Sequence, residues 1–243
     1  MAGPYSSTNA LVRGKVARFS LLDACGVPTY TKSTYTTDGF IQVTTTKNMD
    51  EGDEIKVRAA NGIIQVHEPG RRSFVNYTIQ VDLIKVNPGV LTMLTGDPGV
   101  LDYQSTLVGW EENELAQITT NFALEVWTAT AGVRCTAGSL VSGYLLYPLI
   151  GQAWLEVDAI TDKEINVSIH GMSYANPAWG KGPYGGTGSS IPGPIAQDAL
   201  GTAGRLLSAI GASAHRHFEL TSVAPPAPSP ADGAQTYTGP TVY

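Results

Sequence analysis

Apolar and polar side chains alternate with a period of two through much of the chain. In VNYTIQVDL, Val75, Tyr77, Ile79, Val81 and Leu83 fall on one side and Asn76, Thr78, Gln80 and Asp82 on the other. In EIKVR, Ile55 and Val57 alternate with Glu54, Lys56 and Arg58; in EINVSIH, Ile165, Val167 and Ile169 alternate with Glu164, Asn166, Ser168 and His170. In NFALEVWT, Phe122, Leu124 and Val126 form one side, while Asn121, Ala123, Glu125 and Trp127 form another that mixes a carboxylate with an indole. Weaker alternation covers 11–21, 40–46, 63–67, 103–110, 139–147, 152–158 and 215–223. Successive strand side chains point to opposite faces, so this pattern, rich in Val, Ile, Thr and Tyr, predicts half-buried antiparallel sheets. Asn61-Gly62 predicts a tight hairpin, and Glu51-Gly52-Asp53 and Thr161-Asp162-Lys163 predict further turns.

One short helix is expected near NPGVLTMLTG, with Asn87 as cap, Pro88 in the first turn, Gly96 as terminator and Val90, Leu91 and Leu94 as its apolar stripe. Residues 195–212 show helix-like spacing, but Gly201, Gly204 and Gly211 favour an irregular packed segment. The expected division is a β core over 1–178, a Gly/Pro-rich linker over 179–194, a packed segment and last strand over 195–223, and an extended Pro-rich arm over 224–243.

With 243 residues the chain can bury a sizeable core. Charged residues make up only 15%, against about 25% in a typical soluble domain, so partners are expected to cover part of the surface. The net charge of -6 and the lack of a basic run exclude phosphate-neutralising nucleic-acid binding. Such a surface still suits a passage through which DNA slips, since like charges do not adhere. Cys25 and Cys135 form no CxxC pair and are expected as reduced, buried thiols. The opening MAGPYSSTNALVRG lacks a basic stretch followed by an apolar one, so no signal peptide is read and a cytosolic site of synthesis is expected. No apolar run approaches the ~20 residues of a membrane span.

Candidate chemistry is thin. His215, His217 and Glu219 alternate along one strand and could hold a metal, but such a site needs ligands from a second element, and a polar strand face is the simpler reading. Ser173 in GMSYA, with His215 and Asp158 or Asp162, sketches a hydrolytic triad; Asn176-Pro177 follows where a nucleophile elbow requires a helix. GKGPYGGTG lacks a phosphate-loop pattern. Asp50, Glu51, Asp53 and Glu54 lack the spacing of a calcium loop and read as an acidic hairpin tip, or as a repelling surface facing a DNA-carrying lumen. No catalytic residue, cofactor site or metal site is therefore assigned, and a binding or structural role is expected rather than an enzyme.

Several phrases in order, LLDACGVPTY, TTDGFIQVTTTKNMDEGDEIKVRAANG, KVNPGVLTMLTGDPGVLD, NFALEVWTATAG, GYLLYPLI, HGMSYANPAWGKGPY and HRHFELTSVAPPAPSP, resemble the major tail protein of long non-contractile-tailed bacteriophages of actinobacteria. The resemblance covers roughly residues 10–230. It implies an antiparallel β-sandwich or barrel with one flanking helix and extended arms. It also implies six copies per ring, rings stacked into a tube that conducts DNA, and a place in the virion tail after assembly in the host cytoplasm. The implied partners are further copies of the chain and the tape measure, terminator and tail-tip proteins. Under this reading Trp127 and Trp154, beside Glu125 and Glu156, are the expected interface anchors. A capsid decoration or head–tail joining protein is the alternative.

Overall fold

The computed structural model describes residues 11–27, 34–85, 87–112, 120–130, 142–157, 167–179, 195–197, 203–206, 208–221 and 225–229. The fold is mainly β, antiparallel and sandwich-like, with no closed barrel. In chain order the strands are β1 (Leu11–Leu21), β2 (Thr34–Thr37), β3 (Phe40–Glu51), β4 (Ile55–Arg58), β5 (Ile64–Glu68) and β6 (Arg72–Leu83). After α1 (Pro88–Thr95) follow β7 (Gly99–Leu101), β8 (Leu107–Trp110), β9 (Phe122–Thr130), β10 (Ser142–Val157), β11 (Val167–Ser173), β12 (Ile195–Gln197), β13 (Ala203–Arg205) and β14 (His217–Thr221). The main sheet runs β2-β1-β9-β10-β11-β6-β3, and β14 also pairs with β10.

β10 joins the two halves of this sheet. Its first half pairs with β9 and β14, and its second half with β11. Between them the register jumps at Tyr147/Ile150 and again at Gly151/Trp154, and Gln152 takes a left-handed φ of 53°. The sequence pattern breaks at the same place, which is why 139–147 and 152–158 read as two strands; they are one bent strand. A bulge of this kind re-aims the side chains and bends the strand.

The alternation then fills the space between the halves. Phe19, Ile79, Val81, Leu83, Phe122, Leu124, Tyr147, Ile150, Val167 and Ile169 are all buried there. The helix closes one end. Asn87 Oδ1 accepts from Gly89 N at 2.8 Å, Pro88 starts the first turn, and Gly96 ends it in the left-handed conformation. Val90, Leu91 and Leu94 are at most 1% exposed, so the expected stripe is the stripe that packs.

Asn61-Gly62 makes the expected turn. Gly62 has φ 82°, and the loop closes through Gly62 N to Ala59 O and Ala59 N to Ile63 O, both 2.8 Å. The strand expected over 103–110 is instead a second hairpin, β7–β8, because Asp102 folds the chain back: its Oδ1 accepts from Gln104 N and Thr106 N, both at 2.8 Å. Glu51-Gly52-Asp53 makes no hairpin turn; it leads from β3 into the separate two-stranded β4–β5 ribbon. Within 195–212, β12 and β13 pair as a small ribbon and 208–212 is irregular. The turn at 161–163, the linker from 180 to 194, Cys135 and the arm from 230 onward lie outside the described residues. Of the arm, 225–229 carries no helix or strand, and Ser229 bonds the outer edge of β2: its N–H donates to Thr36 O at 2.8 Å. Among the described residues no helix is long and apolar enough to cross a membrane.

Truncating Leu91 to Ala is expected to cost about 2–5 kcal/mol, because the helix cannot move in to close the hole. Urea unfolding followed by circular dichroism measures it.

Candidate functional site

Glu125 is fully buried and Trp127 only 3% exposed. The face opposite Phe122, Leu124 and Val126 is therefore interior to this chain, and neither residue is available as an interface anchor. The partner of the carboxylate comes from β1. The pairing Arg18↔Glu125 sets the two side by side, and Arg18 donates through Nε to Glu125 Oε2 at 2.5 Å and through Nη2 to Oε1 at 2.7 Å. Tyr144 Oη adds a bond to Oε1 at 2.7 Å. Arg18 also stands 5.2 Å from the centre of the Trp127 ring, whose other neighbour is Tyr144 at 5.0 Å. A bidentate guanidinium and a phenol satisfy a carboxylate that would otherwise be very costly to bury. Trp179, Ile210, Leu206, Leu22 and Ala214 cover this cluster. Trp179 is pinned by Nε1 to Pro148 O at 2.7 Å. The signal in the sequence was Arg18, a cation between Ala17 and Phe19 at the strand position that faces Glu125.

Trp154 and Glu156 lie elsewhere, beyond the bend in β10, and both are exposed. They belong to the outer face of β3, β6, β11 and β10, which is polar by register: Gln42 pairs with Asp82, Thr44 with Gln80, Thr46 with Thr78, and β11 contributes Ser168 and His170. Trp154 stacks on His170, with rings 5.1 Å apart and 10° from parallel. Glu156 Oε2 lies 3.2 Å from His170 Nε2, off the hydrogen-bonding direction. Asp82 is buried at the centre and accepts from Gln42 Nε2 at 2.6 Å, Gln80 Nε2 at 2.8 Å and Ser168 Oγ at 2.7 Å. Burial pushes its carboxyl up, but these hydrogen bonds and the nearby His170 outweigh that and hold it below the ordinary value. From Gln42 to Asn48 and across to Glu156, this face carries carboxylates and amides and, among the described residues, no Lys or Arg.

Ser173 and His215 do meet: Ser173 Oγ lies 3.2 Å from His215 Nδ1. The geometry is a fastener, however. Nδ1 also lies 3.1 Å from the carbonyl oxygen of Ser173, an acceptor only, and a proton on Nδ1 that serves this carbonyl leaves that nitrogen unable to take one from the hydroxyl. Ser173 is fully buried, and its Oγ accepts from Tyr77 N at 2.9 Å. Asp158 and Asp162 lie outside the described residues. His217 parts from His215 and pairs with Glu219 at 3.2 Å on β14. Glu219 is raised above its ordinary value by burial, against the pull of His217. Among the described residues no three His, Cys, Asp or Glu side chains gather as metal ligands. Cys25, expected buried, is exposed in a turn where Asp23 Oδ1 accepts from Cys25 N and Val27 N.

The acidic cluster is no bare tip. Asp50 and Glu51 end β3, and Asp53 and Glu54 lead into β4. Glu51 pairs with Arg72 at 2.5 Å. Glu54 pairs with Lys56 at 2.6 Å and with His67, and these partners, Lys56 first, hold its carboxyl low. Above this neck projects the β4–β5 ribbon. Val57↔Val66 and Ile55↔Glu68 place Ile55, Val57 and Val66 on one face, with Glu68 beside Ile55 at its base, and the three aliphatics are 53%, 50% and 51% exposed. A second apolar projection is β7–β8, where Leu101 is 59%, Val108 55% and Tyr103 93% exposed. Sequence reading picked out neither, because alternation marks a strand and does not say which strands find cover. A scan against protein-family models and a search of curated proteins found no match to the chain.

Two stability outcomes follow from the buried carboxylates. Glu125→Ala leaves Arg18 buried without its partner, at an expected cost of about 3–5 kcal/mol, and Trp127→Ala costs a similar amount by opening a cavity; neither leaves a sound monomer. For Asp82, the folded pKa lies below the ordinary 3.8. Its stabilisation is therefore complete above that value and is lost as pH falls through the folded pKa. Unfolding free energies measured from neutral to acid pH should fall less steeply for Asp82→Asn than for the natural chain.

Proposed function

We propose that this chain is a structural subunit that associates with copies of itself, of the tail-tube kind suggested by its phrase-level resemblance to phage major tail proteins. The observation that carries the reading is the wetted apolar face of the β4–β5 ribbon. An isolated two-stranded ribbon is marginal in water and gains stability when its apolar face is covered. Soluble monomers rarely leave contiguous apolar surfaces open without use. The low charged fraction of the chain points the same way.

The polar face of β3, β6, β11 and β10 supports the second half of the reading. A wall of amides, hydroxyls and carboxylates offers a passing polyanion no fixed cation to hold it. On this reading DNA travels along the face without binding.

Negative-stain electron microscopy of the purified protein tests the proposal. Rings or hollow cylinders are expected, together with no retention of duplex DNA at physiological salt. A protein that stays monomeric at high concentration, or that attaches only to capsids, overturns it; the latter outcome marks a decoration protein.

A further inference from the structure

We infer that Asn61, at the tip of the β4–β5 ribbon, is a site of self-modification. The backbone nitrogen of Gly62 closes on the Asn61 side chain, ammonia leaves, and water opens the ring to aspartate or isoaspartate. Water is the one co-reactant, and the chemistry does not depend on self-association.

The reaction needs an asparagine whose side-chain carbon the next backbone nitrogen can reach. A Cβ on the following residue crowds that approach, and glycine has none. Asn61-Gly62 is the one Asn-Gly pair among the nine asparagines of the chain. Asn87 and Asn176 precede Pro88 and Pro177, whose nitrogens carry no proton to lose. Asn48 and Asn76 lie within β3 and β6, paired with each other, and Asn48 Nδ2 donates to Asn76 Oδ1 at 2.7 Å.

The tip supplies the rest. Residues 60–64 are all exposed. Gly62 takes φ 82°, and no atom lies within 4 Å of the place where a Cβ would stand, so a ring has room to form. Asn61 Oδ1 accepts from Ile63 N at 3.1 Å. A side-chain carbonyl held on the nitrogen two residues ahead lies folded over the nitrogen between them. The same bond aims a donor at Oδ1, the atom on which negative charge collects when Cγ is attacked. Against this, Gly62 N–H donates to Ala59 O at 2.8 Å and has to come free before its nitrogen can attack. That bond closes the end of a two-stranded ribbon that pairs with no other strand, and such a ribbon is marginal in water and frays at its tip.

Gly62 N gives its proton to solvent and bonds to Asn61 Cγ. The Cγ–Nδ2 bond breaks, and Nδ2 takes a proton from solvent and leaves as ammonia. Water then adds to either carbonyl of the ring. Breaking the new N–Cγ bond gives aspartate; breaking the original peptide bond gives isoaspartate, in which the main chain runs through the side chain. Either product adds a carboxylate to a chain of formal net charge -6, one residue from the Gly62 carbonyl that Arg58 Nη1 contacts at 3.1 Å.

The full-length chain, kept folded in mildly alkaline buffer and sampled over days, tests the inference. Trypsin cuts after Arg58 and Arg71 and frees residues 59–71, which contain no other asparagine. This peptide should take on the mass of an amide-to-acid change and split into two species, one of them a substrate for isoaspartyl methyltransferase. Conversion in the folded chain should run within about tenfold of the rate in a synthetic 59–71 peptide, because the tip opens often. Asn61→Gln, whose longer side chain would have to close a larger ring, should leave the peptide unchanged. An Asn61 that persists in the folded chain while the free peptide converts overturns the inference, as does earlier conversion at another residue. Aspartate without isoaspartate removes Gly62 N from the reaction, since only the ring can open both ways.

Discussion

One strand has to belong to two sheets. β10 gives its first half to β9 and β14 and its second half to β11, and it changes direction between them at 148–152. A straight strand of 16 residues would hold all its partners in one flat layer and leave Phe122, Tyr147, Ile150 and Ile169 on an open face. The bend turns the two halves toward each other and makes a core. It also breaks the ladder, and the freed groups are satisfied locally. Pro148 O accepts from Trp179 Nε1 and Asn176 Nδ2, and Leu149 O accepts from Tyr174 N. At Gly171, which faces the bend, a Cβ would come within 2.4 Å of Ile150. The close approach of β11 to β10 therefore depends on that glycine having no side chain.

The bend sorts the outward faces as well as the inward ones. Before it, the outer face of β10 carries Tyr144 and Leu146 and is roofed by the segment from Leu206 to Ala214 with Trp179. After it, the outer face carries Trp154 and Glu156 and stays open. The first face can hold Arg18 and Glu125 only because they meet in bidentate geometry away from water. The second can hold Asp82 without a cation because three neutral donors converge on it. The same residue types, Trp beside Glu on a strand, thus serve as interior in one half and as surface in the other.

Much of the local structure was legible in the residues. Asn87, Pro88 and Gly96 bracket the helix where it forms, Asn61-Gly62 turns where it should, and Ile79, Val81 and Leu83 put their side chains inside, while Val75 on the same predicted side is left 49% exposed. These features follow from steric and hydrogen-bonding preferences that act over a few residues. The β7–β8 hairpin was missed because its turn depends on the Asp102 side chain reaching back to the backbone, within an apolar stretch that otherwise reads as one strand. Trp127 was misplaced because alternation gives two faces to every strand but does not say what will lie on each.

The sequence by itself determined that this is an antiparallel β protein with one capped helix, and which side chains share a strand face. Those outcomes rest on the period of the extended backbone and on short-range capping. Tertiary structure alone decided that the Glu125 face is roofed by residues some 80 positions later in the chain, that His215 fastens to Ser173, and that the β4–β5 and β7–β8 hairpins remain uncovered. Each of these depends on which distant segment reaches a surface first and fits it. That is settled by the bend in β10 and the packing of the whole chain, and no window of sequence contains it.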